Sequence, residues 1–289
     1  MTLILKATEF DKQSAAFRKK YKDVQALYDH GWILQPKYDG VFALITIRPD
    51  RRDSSVITRT GEPIRSCDHI LDALHAHRPT RVGYVVLAEL WAPGTPFPTI
   101  SGWARQHRPA PELIAVLHDR LPATLETAQG YSERLCHLRE VFGSAASTAF
   151  RVIEAVPRRA VKDVPRFAQE LVAAGGYDGA MLKDPWAPYV IKVARDGEIV
   201  KVKPTLSLDL PVVERLVAEG EKTGRDVFTL VVEYRGVKTT VGSGVPHNIS
   251  DVPNAGDIVE VECLGVTADG KLREPRFKGV KFDKTEGDQ

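Results

Sequence analysis

Cysteine is scarce: Cys67, Cys136 and Cys263 are scattered through 289 residues, with no CxxC pair and no Cys/His grouping at zinc spacing. That excludes a disulfide framework and a structural zinc module, and it leaves reduced, buried thiols as the expected state. Long apolar runs are missing too, for no stretch approaches the roughly eighteen uninterrupted apolar residues of a membrane span. The opening MTLILKATEFDKQ is charged too early to hold a secretory apolar region, so a cytoplasmic protein is expected. A charge of one sign is also lacking. The net charge is +2, so any basic binding surface must come from local clustering, as at 48–52 and in the tail 271–284, KLREPRFKGVKFDK. Such runs are commonly solvated faces.

What is present is an ordinary globular balance, with 43% apolar and 27% charged residues, so the chain must pack a core. Its length suits a large domain followed by a small one. Apolar side chains at 10, 17, 21, 24 and 28 share one helical face and predict a single opening helix over 10–28, ended by Gly31. Strands are predicted at 32–34, 41–47, 55–58, 84–91 and 113–117, with a Pro/Gly/Ser-rich loop at 92–102. Helices are predicted at 132–142 and 164–174, the second stopped by Gly175-Gly176. Strands and helices alternate irregularly, which favours an α+β fold on antiparallel sheets. Beyond Lys203-Pro204 a helix-like patch at 210–219 precedes short strands with Gly turns, the texture of a small β-barrel such as an OB-fold. The expected domains are 1–205 and 206–289.

Four segments can carry chemistry. Lys37-Tyr38-Asp39-Gly40 follows a strand-like run, which places Lys37 where a side chain can enter a cleft, and Gly40 lets the backbone turn close to a ligand. Lysine attacks phosphorus only when neutral, so such a site needs cations or a metal close by. Glu89 ends an apolar strand, Asp178 and Lys183 bracket the run DGAMLK, and Lys201 and Lys203 alternate with Val200 and Val202. Residues two apart share a strand face, so the last two lysines project together and suit a phosphate. Taken singly, each has a plainer reading, as a hairpin lysine, an exposed strand end, a solvated cap or the wet face of an edge strand.

The ordered series KYDG, acid-ended strand, DGAMLK, KVKP and a Gly-rich β module resembles the covalent nucleotidyltransferases, namely DNA ligases, RNA ligases and mRNA-capping guanylyltransferases. The wording DGAMLKDP followed by KVKP is similar to the small bacteriophage ATP-dependent DNA ligases over essentially the whole chain. The resemblance implies an antiparallel-sheet, ATP-grasp-like nucleotidyltransferase core with an OB-fold barrel, a nicked duplex DNA partner, ATP and Mg²⁺ or Mn²⁺ as cofactors, and a monomer. It assigns the nucleophile to Lys37, with Lys201 and Lys203 assisting. Gln35, Tyr38, Asp39, Gly40, Arg59, Glu89, His118 and Lys183 would meet the nucleotide, Gln35 at the adenine amino group and His118 stacked on the ring. Glu89 and Asp178 would take metal; Arg59, Arg105, Arg276, Lys278 and Lys281 would take DNA, and a hinge near Pro204 would close the barrel. Three positions depart from the family pattern: Phe42 replaces an arginine, Asp178 a glutamate and Ala88 an aspartate. With only about thirty residues ahead of Lys37, no separate DNA-binding domain is expected there. An RNA ligase, a capping enzyme and a non-catalytic OB-type nucleic-acid binder are the competing readings.

Overall fold

The computed structural model describes residues 4–77, 81–219, 226–267 and 269–288. In chain order the elements are β1 (Thr8–Glu9), α1 (Ala15–Lys20), α2 (Val24–Asp29), β2 (Ile33–Tyr38), β3 (Val41–Ile47), β4 (Ser55–Ile57), α3 (Asp68–His77), β5 (Tyr84–Trp91), α4 (Phe97–Arg105) and β6 (Ile114–Pro122). They continue with α5 (Tyr131–Phe142), β7 (Phe150–Val152), α6 (Val164–Ala174), β8 (Tyr177–Lys183), β9 (Ile199–Val202), β10 (Leu206–Glu219), β11 (Asp226–Tyr234), β12 (Val237–Val241), β13 (Ile258–Cys263) and β14 (Arg276–Val280).

Two compact units divide the chain, Met1–Lys203 and Pro204–Gln289. The first holds two sheets, ordered β1-β9-β8-β2 and β4-β3-β5-β6-β7, and all their pairings are antiparallel except β1 with β9 and β6 with β7. The antiparallel α+β expectation is met. In the four-stranded sheet, strand alternation sends Leu34, Ala180, Leu182, Val200 and Val202 to one face. There they pack with Leu27 of α2 and Val164 and Ala168 of α6. The opposite face is free for Gln35, Lys37, Lys201 and Lys203. In the five-stranded sheet, Ala43, Ile45, Val86, Ala88, Leu90 and Leu117 face the largest core, which α3, α4 and α5 cover.

The second unit is an antiparallel sheet ordered β12-β11-β10-β13-β14 around Leu208, Leu210, Val212, Leu230, Val232, Val259 and Val261. Among the described residues its outer edges meet through one bridge, Ser243 with Arg276 of β14, just past the end of β12.

Three local expectations fail. The helix over 10–28 is broken into a 3-10 turn, α1 and α2, because Ser14 and Asp23 cap new helices, accepting from the backbone N–H of Phe17 and Ala26. Phe17 and Tyr28 still reach the core that the periodicity marked. The loop at 92–102 contains the start of α4, where Pro98 lies in the first turn, a place that tolerates its missing N–H. The patch 210–219 is a strand, β10, paired with β11 on one side and β13 on the other. Its Leu, Glu, Arg and Ala favour a helix locally. Ladder bonds to two neighbours and the inward alternation of Leu208, Leu210 and Val212 override that preference.

Candidate active site

The site is built on the open face of β2, β8 and β9. Lys37 pairs with Gly179 and Tyr38 with Tyr177, so Asp178 is an extra, unmatched residue that a β-bulge turns toward the lysines. Its Oδ2 lies 2.6 Å from Lys37 Nζ and 2.9 Å from Lys203 Nζ. Burial pushes the Asp178 carboxyl upward, but the two ammonium groups outweigh it and hold the group below its ordinary range. Gly179 makes this packing possible. Its φ is +125°, and a Cβ there would stand 2.2 Å from the carbonyl oxygen of Val202. Lys201 is held by Glu9 of β1 at 2.9 Å.

The turn between β2 and β3 brings in the five-stranded sheet. Gly40 sits against β5, where a Cβ would fall 2.2 Å from Leu90 O and 2.9 Å from Glu89 Cγ. Its N–H donates to the Glu89 carboxylate. Burial raises Glu89 to about 7, against the pull of Lys37 and Arg59, so it carries a proton part of the time at neutral pH. Phe42, in the place of the family's arginine, lies opposite Glu89 in the ladder. Its ring is 5.9 Å from that of His118, and the Arg59 guanidinium sits over it at 6.0 Å. Arg59 thus brings a cation to the spot from a neighbouring strand's loop. His118 is itself the extra residue of a bulge in β6, between Leu117 paired with Ala88 and Asp119 paired with Leu87. Burial, helped by Lys183, pushes its imidazole well below the ordinary range and keeps it neutral; Ala88 hydrogen-bonds it in opposition.

Beneath these groups lies a polar layer in which sequence reasoning missed Tyr131, Asp119 and Arg134. Arg134 grips Asp119 through Nε and Nη2 at 2.9 and 3.1 Å, both side chains being 3% exposed. Lys183 is buried, with Nζ 4.2 Å from the Tyr131 ring centre and 3.5 Å from the His118 carbonyl oxygen. Burial lowers it to about 8, Asp119 opposing and Arg134 adding to the fall. The Tyr131 hydroxyl lies 2.9 Å from Gln35 Oε1 and 3.0 Å from the His118 carbonyl oxygen. Gln35 is 0% exposed, and its Nε2 has no partner among the described residues. No motif announces Tyr131, Asp119 or Arg134; only the packing of α5 on β6 joins them.

The other expected residues have their own contacts. Tyr38 packs between Trp91 and Tyr177, with Arg151 5.3 Å from its ring centre, so it belongs to an aromatic cluster. Asp39 contributes its N–H to Gly176 O at 3.1 Å. Arg105 ends α4 and returns its Nε to Ser101 O at 3.0 Å. In the second unit Arg276 Nε reaches Ser243 Oγ at 3.3 Å, Lys278 pairs with Glu262 at 3.3 Å, and Lys281 pairs with Glu260 at 2.9 Å. Asp178, expected as a metal ligand, is in this structure the shared counter-ion of two lysines. Among the described residues no group of three or more His, Cys, Asp or Glu side chains could hold a metal. No described helix is long and apolar enough to cross a membrane.

No family model matches the chain, and no curated protein matches it in sequence. Among solved structures it is similar to Pmar-Lig_PreS3, with a TM-score of 0.74 and 21% identity over 97% of this chain and 68% of that one. A Lig E DNA ligase, described as DNA binding with a minimal scaffold, gives a TM-score of 0.72 and 20% identity over 97% of this chain and 100% of that one. The ATP-dependent DNA ligase of bacteriophage T7, in complex with ATP, gives 0.51 and 19% over 96% and 98%. The chain has the fold of the ATP-dependent DNA ligases.

Proposed function

We propose that the chain is an ATP-dependent DNA ligase that seals nicks in duplex DNA through AMP held covalently on Lys37. The observation that carries this reading is the placement of the Lys37 amine: on a ligase fold, at a bulge, with Asp178 2.6 Å away and Lys203 on the same carboxylate oxygen. The Lys37 nitrogen, having lost a proton, bonds to the α-phosphorus of ATP as the bond to pyrophosphate breaks. AMP then passes to the 5′-phosphate at the nick, and the 3′-hydroxyl displaces it to join the strands. Negative charge gathers on phosphate oxygens in each step, which suits the fixed cations Lys201, Lys203 and Lys183. Residues 1–205 form the adenylation domain and 206–289 an OB-type barrel, a reading supported by the Ser243–Arg276 bridge between the outer edges of the second sheet.

The donor set fits Mg²⁺ or Mn²⁺ carried mainly by nucleotide phosphates and water, with Glu89 the carboxylate that the protein adds, since Asp178 is committed to lysines. When bound, the ion withdraws charge from the phosphate oxygens. Arg59, Arg105, Arg276, Lys278 and Lys281 would hold backbone phosphates of the DNA, and the likeness to a Lig E ligase described as binding DNA with a minimal scaffold supports that reading. The enzyme would act as a monomer on a pre-formed nick.

The test is incubation with Mg²⁺ and ATP labelled at the α-phosphate, then a chase with nicked DNA. Label should attach to the protein and move to the DNA end. No attachment, or attachment that persists in Lys37→Ala, rejects the reading; attachment from GTP alone points to capping chemistry, and a chase that succeeds only on nicked RNA to an RNA ligase.

A further inference from the structure

Glu9 belongs to none of the motifs, yet the sheet register carries it to the candidate active face. Met181 of β8 pairs with Lys201 of β9, and Lys201 pairs with Glu9 of β1, so the three side chains stand in one row on one side of the sheet. Lys201 Nζ lies 2.9 Å from Glu9 Oε1, and Lys12 takes the other carboxylate oxygen. Burial pushes the Glu9 carboxyl upward, but the hydrogen bonds from Lys12 and Lys201 outweigh it and hold the group below its ordinary range. The strand that carries it is itself tied down. Thr8 Oγ1 donates to Ala194 O at 2.6 Å, and Gln13, 3% exposed, donates from Nε2 to Thr8 Oγ1 at 2.6 Å and accepts the Gly197 N–H at 2.9 Å. The Ser14 N–H donates to Arg195 O at 2.6 Å. These bonds fasten both flanks of β1 to the 194–197 turn that leads into β9, so the backbones on either side of the Glu9–Lys201 pair are fixed.

The two lysines of β9 are thereby drawn in opposite directions. In the strand order β1-β9-β8-β2, Lys203 reaches inward to Asp178 of β8, which it shares with Lys37, and Lys201 reaches outward to β1. We propose that Glu9 is a positioning residue that holds Lys201 on the outer side of this face, so that Lys201 and Lys203 meet different oxygens of the nucleotide's phosphates instead of gathering on Asp178. This rests on the reading of Lys37 as the amine that takes up AMP. An ammonium group owns three hydrogens, so one spent on Glu9 fixes its direction and leaves two for phosphate. The carboxylate would repel a phosphate if it stood alone; Lys12 on its second oxygen offsets that charge.

The experiment measures the rate of labelling of the full chain from α-labelled ATP over a range of ATP concentrations. Glu9→Ala should lower the maximal rate by about tenfold, the worth of one hydrogen bond to a charged group, with KM for ATP little changed, because the aligned contact matters most as charge builds on the phosphates. Glu9→Gln keeps an acceptor in place and should recover part of the loss. In a Lys201→Ala background Glu9→Ala should slow labelling no further, which a merely structural role for β1 would not produce. Labelling of Glu9→Ala at the wild-type rate overturns the proposal, and so does a loss of equal size in the Lys201→Ala background. Should Lys201→Ala take up no label, equal losses in Glu9→Gln and Glu9→Ala overturn it. Absence of label in wild type instead removes the Lys37 reading, and the proposal falls with it.

Discussion

Lys37 and Lys203 share one oxygen atom, Asp178 Oδ2, at 2.6 and 2.9 Å. Each lysine limits how much of the negative charge the other receives. Removing Lys203 takes one cation from beside the Lys37 amine and from the phosphate oxygens on which charge builds. Lys203→Met is therefore expected to slow self-labelling by about 10²-fold. Labelling at the wild-type rate would show that Lys203 has no part in the site. Lys37→Arg keeps the ion pair to Asp178 and should fold normally while taking up no label.

Glu89 carries a stability cost that can be separated from its function. Burial raises its folded value to about 7 from 4.5, so the folded state binds the extra proton between those two values and loses stability as pH rises through that window. Glu89→Gln removes the titration. At pH 8 the variant should be more stable than wild type by on the order of 1–3 kcal/mol, and the gain should vanish below about pH 5. Urea unfolding at the two pH values measures it, and equal gains at both would refute the assignment. Activity should fall in the same variant, since the ionised carboxylate is lost.

Asp119 and Arg134 form a pair that tolerates removal of both partners better than removal of one. Arg134→Met leaves a buried carboxylate without its two guanidinium bonds and should cost about 3–5 kcal/mol. Asp119→Leu with Arg134→Met should recover part of that loss. Chemical denaturation of the single and double variants tests the coupling. A double variant as unstable as the sum of the singles would contradict it.

Gly40 and Gly179 are fixed by contact. A methyl group at either would stand 2.2 Å from a backbone carbonyl oxygen, and neither Leu90 nor Val202 can yield without breaking its strand. Gly179→Ala adds strain at φ +125°, so it should cost about 2 kcal/mol or more and shift the Asp178 bulge. Gly94, with nothing within 4 Å, is the control for substitution at positive φ alone. A thermal unfolding series that ranks Gly94→Ala as the worse of the two would refute the contact argument.

The sequence by itself determined the parts whose cause is local. Strands 41–47 and 84–91 and the helix 164–174 end where the alternation and the Gly-Gly stop place them, because side-chain period and chain breakers act within a few residues. It also picked out Lys37, Asp178 and Lys203, lying far apart in the chain, as candidates for one site. Only the tertiary structure decided how they meet. The bulges that turn Asp178 and His118 out of register depend on the partner strands. The strand at 206–219 depends on ladder bonds from β11 and β13. Tyr131, Asp119 and Arg134 were invisible for the same reason: a buried polar layer has no period along the chain, and its members acquire meaning only when packing removes the water that would otherwise satisfy them.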